Sequence, residues 1–208
     1  MTIRVHHLRI SRSTRIIWLM EELGLAYDLV QHDRDPATFR SPPSLYDVHP
    51  LGKAPAVEID GRVMVESSAI IEYIVDRHGG GKLLPPENAR AEYLEWLHFA
   101  EGTLGMPMIM RLLGSRLGLG ELAQGFMDAE LTKQLDWIES QLEGKSFLCG
   151  ETFTGADINL EYLLEHGEQM GLLKTRPNLA RYQEALTARP AYKKAIEIGG
   201  PVTLPRAG

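Results

Sequence analysis

The chain has 208 residues, 44% hydrophobic and 24% charged, with 22 Lys and Arg against 28 Asp and Glu for a net charge of −6. Such a chain has the apolar material for one large core or two small ones, and its acidic balance argues against nucleic acid or an anionic membrane as main partner, because both reward clustered Lys and Arg. Its single cysteine, Cys149, excludes an internal disulfide framework and a Cys-rich zinc site; with no apolar run near the roughly 18 residues of a spanning helix and no signal-peptide pattern, the expected setting is the cytoplasm and the expected contact with membranes is none.

In chain order, "IRVHHL" (3–8) reads as a short strand. "STRIIWLMEELG" (13–24) places Ile16, Ile17, Leu19, Met20 and Leu23 at helical spacing and stops at Gly24. "AYDLVQHD" (26–33) alternates as a second strand, so the three runs form a βαβ unit. After an irregular stretch, "APAVEIDGRVMVES" gives two strands joined by Asp60-Gly61, a strong hairpin signal, and "SSAIIEYIVDRHGGG" reads as a helix with a serine start and a glycine stop. This half, 1–80, is a small α/β domain of order β-α-β-β-β-α. Residues 81–88 are a Gly/Pro-rich linker. From 89 to 208 the strand signals vanish and the remaining runs are helical, among them a stripe of Leu131, Leu135, Ile138 and Leu142.

The stretch "HPLGKAPAVEIDGRVMVESSAI" (49–70) concentrates the chemistry. Pro55 stands just before "AVEI", where a proline either begins a strand in trans or turns sharply through a cis bond. A turn there leaves the main chain of Ala54 outside the sheet, open to an extended peptide. Ser67 is placed to cap the next helix, whose first N–H groups favour a carboxylate, while Glu66 favours a cation. Simple capping explains the pair separately. Together they suit an amino-acid head group, so the stretch fits a short peptide with a free α-amino acid end.

Four stretches in this order resemble the glutathione transferases: "SRSTRIIWLMEELGLAYDLV", "HPLGKAPAVEIDGRVMVESSAIIEYI", "WLHFAEGTL" and "GETFTGADI". The resemblance covers roughly residues 3–195. It implies a thioredoxin-like α/β domain with a mixed sheet, followed by an all-α domain. It also implies that Ala54 pairs its main chain with the cysteinyl part of glutathione, that Pro55 is cis, and that Glu66 and Ser67 take the γ-glutamyl amine and carboxylate. Lys53 then reaches the glycyl carboxylate as a point charge. Thr154 and Asp157, spaced S/T-x-x-D, are a structural cap for the helix that follows.

The chemistry needs a thiolate, and a free thiol with pKa of about 8.5 is mostly protonated at neutral pH. The chain has no Tyr or Cys before its first helix, where relatives carry Tyr, Ser or Cys. Ser11, four residues before Arg15 as in serine-type relatives, is the first choice of activating group. Ser13 is the second, with helix capping as its structural reading, and a backbone amide alone stays open. Met106 and Met110, near the break at Pro107, are candidates to line a hydrophobic electrophile pocket, with core or subunit packing as the alternative. His6 and His7 are neighbours on a strand, face opposite sides, and form no metal pair. The implied activity is conjugation of glutathione to a hydrophobic electrophile in a cytoplasmic, detoxifying homodimer, with glutathione as cosubstrate and no further cofactor. A non-enzymatic binding or regulatory module and a glutathione-dependent peroxidase are the rivals.

Overall fold

In the computed structural model, which describes residues 2–114 and 118–202, β1 (Arg4–Leu8) lies inside a four-stranded sheet. The order across the sheet is β2 (Asp28–His32), β1, β3 (Ala56–Ile59), β4 (Arg62–Val65). β1 and β2 run parallel, with Arg4 opposite Asp28. β3 runs antiparallel to both its neighbours, and Ala56 stands opposite His6 on one side and Val65 on the other. The sheet is therefore mixed, as the resemblance implies.

Parallel strands need a crossover, and α1 (Thr14–Leu23) supplies it. Its apolar residues recur at helical spacing and are buried from Ile16 to Met20, and it ends at Gly24 in the left-handed region. The β3–β4 hairpin turns through Asp60 (φ 50°) and Gly61 (φ 77°), the pair of positive φ angles that a two-residue type I′ turn requires. Tyr73 and His78 of α3 (Ser67–His78) hold the Asp60 carboxylate at 2.8 and 2.9 Å, which ties the turn to the helix after it. One short helix, α2 (Pro43–Tyr46), lies in the stretch read as irregular. It is a single turn started by proline and anchored by Leu45, too short to show periodicity.

The chain divides into two units, Met1–Leu83 with Thr187–Gly208, and Leu84–Leu186. The second contains α4 (Arg90–Phe99), a π-helical segment (Ala100–Leu104), α5 (Gly105–Leu113), α6 (Glu121–Gln141), α7 (Gly155–Gln169) and α8 (Pro177–Thr187). Pro107 has no N–H for the carbonyl four residues earlier, and the widened π turn directly before α5 absorbs that break. α7 is buried on every side from Gly155 to Leu164, so water cannot satisfy its first N–H groups. The Thr154–Asp157 capping box does so instead. Asp157, fully buried, accepts from the Leu148 N–H, the Thr154 N–H, the Thr154 hydroxyl and the Tyr182 hydroxyl. Burial pushes its carboxyl pKa up, and those hydrogen bonds pull against it.

The last helix, α9 (Pro190–Gly199), follows the helical run in sequence but packs on α1 in the first unit. Trp18 meets Tyr192 edge-on at 5.0 Å, Arg189 grips Glu22 with two contacts at 2.6 and 2.9 Å, and Lys194 pairs with Glu21 at 2.6 Å. By its contacts α9 thus belongs with the first unit. Periodicity marks α9 as a helix with one apolar face, but nothing in that face names the surface it covers.

Candidate active site

Strand register gathers the candidate residues of the first unit at one end of the sheet. Because β3 starts opposite His6 and ends β4 beside Ala56, the segments 8–13, 54–55 and 66–67 all leave the sheet at the C-terminal end of β1. This is where a βαβ crossover presents the N-terminus of its helix.

The Ala54–Pro55 peptide bond is cis. Pro55 is buried, Ala54 is half-buried, and the ladder begins only at Ala56, so the Ala54 main chain lies outside the sheet pairing. Lys53 is exposed. Just ahead of it, Gly52 adopts φ 55°, and a Cβ there would meet the Tyr46 ring at 2.6 Å, so only glycine fits this turn.

At the start of α3 the structure corrects the position of the cap. Glu66, with φ 70° and ψ 109°, is the flanking residue, and helical geometry begins at Ser67. The left-handed φ at Glu66 turns the chain into the helix and leaves its side chain exposed. Ser67 is buried, and its hydroxyl accepts from Nη1 of Arg15 at 2.9 Å. Arg15, on α1 and only 2% exposed, brings a guanidinium against the helix N-terminus. An anion at this spot would meet a helix N-terminus, a hydroxyl and a buried arginine, with the Glu66 carboxylate close by in sequence for a cation.

The loop from β1 to α1 carries the two serines, and their hydroxyls turn inward. Ser13 is fully buried at the N-cap position of α1, but its side chain makes no cap; its hydroxyl contacts His7 Nδ1 at 2.8 Å and receives the Leu8 N–H at 3.1 Å. The tight approach to β1 wins because Leu8 is the last strand residue and its N–H needs a partner inside the core. Ser11, 9% exposed, contacts the Leu8 carbonyl oxygen at 2.7 Å and Ser13 Oγ at 2.8 Å, and receives the Ser13 N–H at 3.2 Å. Ile10 takes φ 54° to make this loop, and Arg34 holds it from outside by donating to the carbonyls of Arg9 at 3.0 Å and Ile10 at 2.7 Å.

His6 and His7 do face opposite sides of β1. His6 bonds His32 at 3.0 Å and Glu58 at 2.9 Å, and His32 reaches Ser44 of α2 at 2.8 Å. Burial and the neighbouring His6 lower the His32 pKa, while the His6 hydrogen bond, followed by Arg4, lowers that of Glu58. His7 reaches the Gly199 carbonyl oxygen at 2.8 Å, and burial lowers its pKa below the ordinary imidazole value. Among the described residues no group of three or more His, Cys, Asp or Glu is arranged to hold a metal ion.

In the helical unit, Met106 is 62% exposed and Met110 half-buried on α5, one turn apart and on one face. Met108 points the other way into the core, its methyl group close to Gly167. Cys149 is buried, and desolvation, followed by the Asp157 charge, pushes its thiol up to about 12.

Sequence reasoning missed three residues that hold this site. Arg15 was only a spacing marker, Arg34 lay in an irregular stretch, and the His7 contact spans 192 positions. The one signal for Arg15 in the sequence is its place within the apolar helical run of Ile16, Ile17, Leu19 and Met20.

A thioredoxin-like α/β unit with a cis-proline turn beside a helix N-terminus, continued by a helical unit, is the layout that the resemblance implies. The family models described as the N-terminal and C-terminal domains of glutathione S-transferase match residues 11–77 and 120–197. Glutathione S-transferase 3 of Schizosaccharomyces pombe is 34% identical over 93% of this chain and 86% of its own length. Glutathione S-transferase 1 of Saccharomyces cerevisiae is 26% identical over 94% of each chain. A solved glutathione S-transferase of Actinobacillus pleuropneumoniae superposes with a TM-score of 0.88 at 35% identity, covering 99% of this chain and 97% of its own. The chain belongs to the glutathione S-transferase family.

Proposed function

We propose that the protein binds glutathione at the C-terminal end of β1, ionises its thiol beside Ser11 and conjugates it to a hydrophobic electrophile. The observation that carries this reading is the convergence of Arg15, Ser67 and the α3 N-terminus, with Glu66 adjoining, on the end of the sheet where Ala54 leaves the ladder. The γ-glutamyl carboxylate meets the first three and its amine meets Glu66. The cysteinyl main chain pairs with Ala54, and Lys53 meets the glycyl carboxylate. Ser11 is favoured over Ser13 because Ser13 is fully buried, with its hydroxyl held between His7 and Leu8. Met106 and Met110 present an adaptable thioether face for the electrophile. A cytoplasmic homodimer is part of the same reading, supported by the exposed apolar side chains of Tyr46 and Leu51.

Calorimetric titration tests the binding half. Glu66→Gln and Ser67→Ala should each weaken glutathione affinity by about 1–3 kcal/mol, the range for losing a hydrogen bond to a charged group. Wild-type affinity in both variants would place glutathione elsewhere.

A further inference from the structure

The His7 imidazole ends a chain of hydroxyls that begins at Ser11. Its Nε2 is 2.8 Å from the Gly199 carbonyl oxygen and its Nδ1 is 2.8 Å from Ser13 Oγ. A carbonyl oxygen only accepts, so Nε2 carries the hydrogen, and in the neutral ring Nδ1 is an acceptor. Two acceptors lie within reach of the single Ser13 proton, His7 Nδ1 at 2.8 Å and the Leu8 carbonyl oxygen at 3.1 Å, and the nearer His7 takes it. The two acceptor positions of the Ser13 hydroxyl face the Leu8 N–H at 3.1 Å and Ser11 Oγ at 2.8 Å. Ser11 accepts the Ser13 N–H at 3.2 Å and turns its own proton inward, to Ser13 Oγ or to the Leu8 carbonyl oxygen at 2.7 Å. A hydroxyl has one donor and two acceptor positions, so one acceptor position is left on Ser11. Ser11 is also the member of the three that keeps some exposure, 9% against none for Ser13 and His7. To a thiol arriving at this loop, Ser11 offers a lone pair.

We propose that His7 receives the thiol proton of glutathione through Ser11 and Ser13, an inference that rests on the reading that places the thiol at Ser11. The thiol hydrogen passes to Ser11 Oγ, the Ser11 hydrogen passes to Ser13 Oγ, and the Ser13 hydrogen passes to His7 Nδ1. One S–H bond breaks and one N–H bond forms. Each hydroxyl oxygen loses one hydrogen and gains one, and sulfur keeps the bonding pair. The products are a thiolate that now accepts from the Ser11 hydroxyl and an imidazolium whose Nε2–H still rests on Gly199. No redox change occurs. When conjugation consumes the thiolate, the proton returns along the same chain to solvent.

The surroundings of His7 set when it can act. Burial is the largest effect and keeps the ring neutral in the resting protein, which leaves Nδ1 an acceptor but also disfavours the imidazolium until an anion forms nearby. The Gly199 carbonyl at the C-terminal end of α9 favours the imidazolium, while the charges of Arg9 and His32 oppose it. The nascent thiolate is the compensating anion. Close approach of α9 is part of the arrangement: a Cβ on Gly199 would lie 3.1 Å from the His7 ring and 2.9 Å from Ile17.

Nitrogen NMR of the His7 ring in the full-length protein tests the proposal, recorded at neutral pH without ligand, with S-methylglutathione and with glutathione. The ring should remain neutral in the first two and become an imidazolium in the third, in step with thiolate absorbance. A neutral His7 alongside a formed thiolate overturns the relay. His7→Gln keeps an N–H for Gly199 and an oxygen for Ser13 but cannot take a proton. It should bind S-methylglutathione as the wild type does while its bound thiolate fraction falls about tenfold, equivalent to a one-unit rise in thiol pKa. An unchanged thiol pKa in that variant also overturns the relay. If Ser11→Ala leaves the thiol pKa unchanged, the placement of the thiol fails and the relay with it. If Ser11→Ala raises the pKa while wild-type His7 stays neutral, the placement stands and the relay alone is wrong.

Discussion

Replacing Asp157 by alanine removes the acceptor for four hydrogen bonds, from Leu148 N–H at 3.0 Å, Thr154 N–H at 2.7 Å, Thr154 hydroxyl at 2.9 Å and Tyr182 hydroxyl at 2.7 Å. Each donor left buried costs about 1–3 kcal/mol, but the terms do not add, because the Thr154 hydroxyl can turn and water can enter the space left. The donors are all neutral, so no unpaired charge is left, and the expectation for Asp157→Ala is a loss of about 2–4 kcal/mol. Against a total stability of about 5–15 kcal/mol, this is a large fraction. Asp157→Asn keeps the shape but turns an amide N–H₂ toward donors, and should cost about half as much. Tyr182→Phe removes a single donor and should cost about 1 kcal/mol. Urea unfolding followed by tryptophan fluorescence measures all three. A loss below about 1 kcal/mol for Asp157→Ala would refute the claim that this carboxylate holds the start of α7.

The buried Cys149, with its thiol pushed up to about 12, should resist alkylation at neutral pH in the native protein and react at the rate of an ordinary thiol only once urea unfolds the chain. Fast native modification would contradict the burial. His7 gives a pH dependence with a definite sign: its folded pKa is lowered, so the unfolded chain takes its proton first, near the ordinary imidazole value of about 6.5. Stability should therefore fall as pH drops below that value and level off once the folded imidazole is also protonated, and His7→Gln should remove this part of the slope. Arg34→Met leaves the core untouched but frees the carbonyls of Arg9 and Ile10. It should lower kcat/KM by about tenfold through misplacement of Ser11, with the thermal midpoint nearly unchanged. Unaltered turnover would remove Arg34 from the site.

Much of this architecture could be read locally. Gly24, Asp60-Gly61 and Thr154-x-x-Asp157 each encode a backbone event within a few residues and take the form that their chemistry suggests, whereas Ala54-Pro55 admits cis or trans and only the resemblance implies the cis bond found. The misreadings concern longer range or competing partners. Ser67 was expected to cap α3, but Glu66 at φ 70° takes the flanking position and Arg15, 52 residues away, takes the serine hydroxyl. Ser13 holds the N-cap position, yet its side chain turns to His7 and Leu8, a choice that depends on β1 lying alongside. The amphipathic pattern of α9 cannot disclose that Tyr192, Ala195 and Gly199 bury themselves against α1. Likewise α2 owes its single turn to Pro43 and the burial of Leu45, with no repeat to betray it.

The central claim is an activated thiol at Ser11, and the direct measurement is a pH titration of thiolate absorbance in the ultraviolet with glutathione bound to wild type and to Ser11→Ala. The wild type should show a bound thiol pKa lowered from the free value of about 8.5 by at least one unit, and Ser11→Ala should return most of that shift. Saturable binding with an unshifted thiol in the wild type, or an undiminished shift in Ser11→Ala, would contradict it.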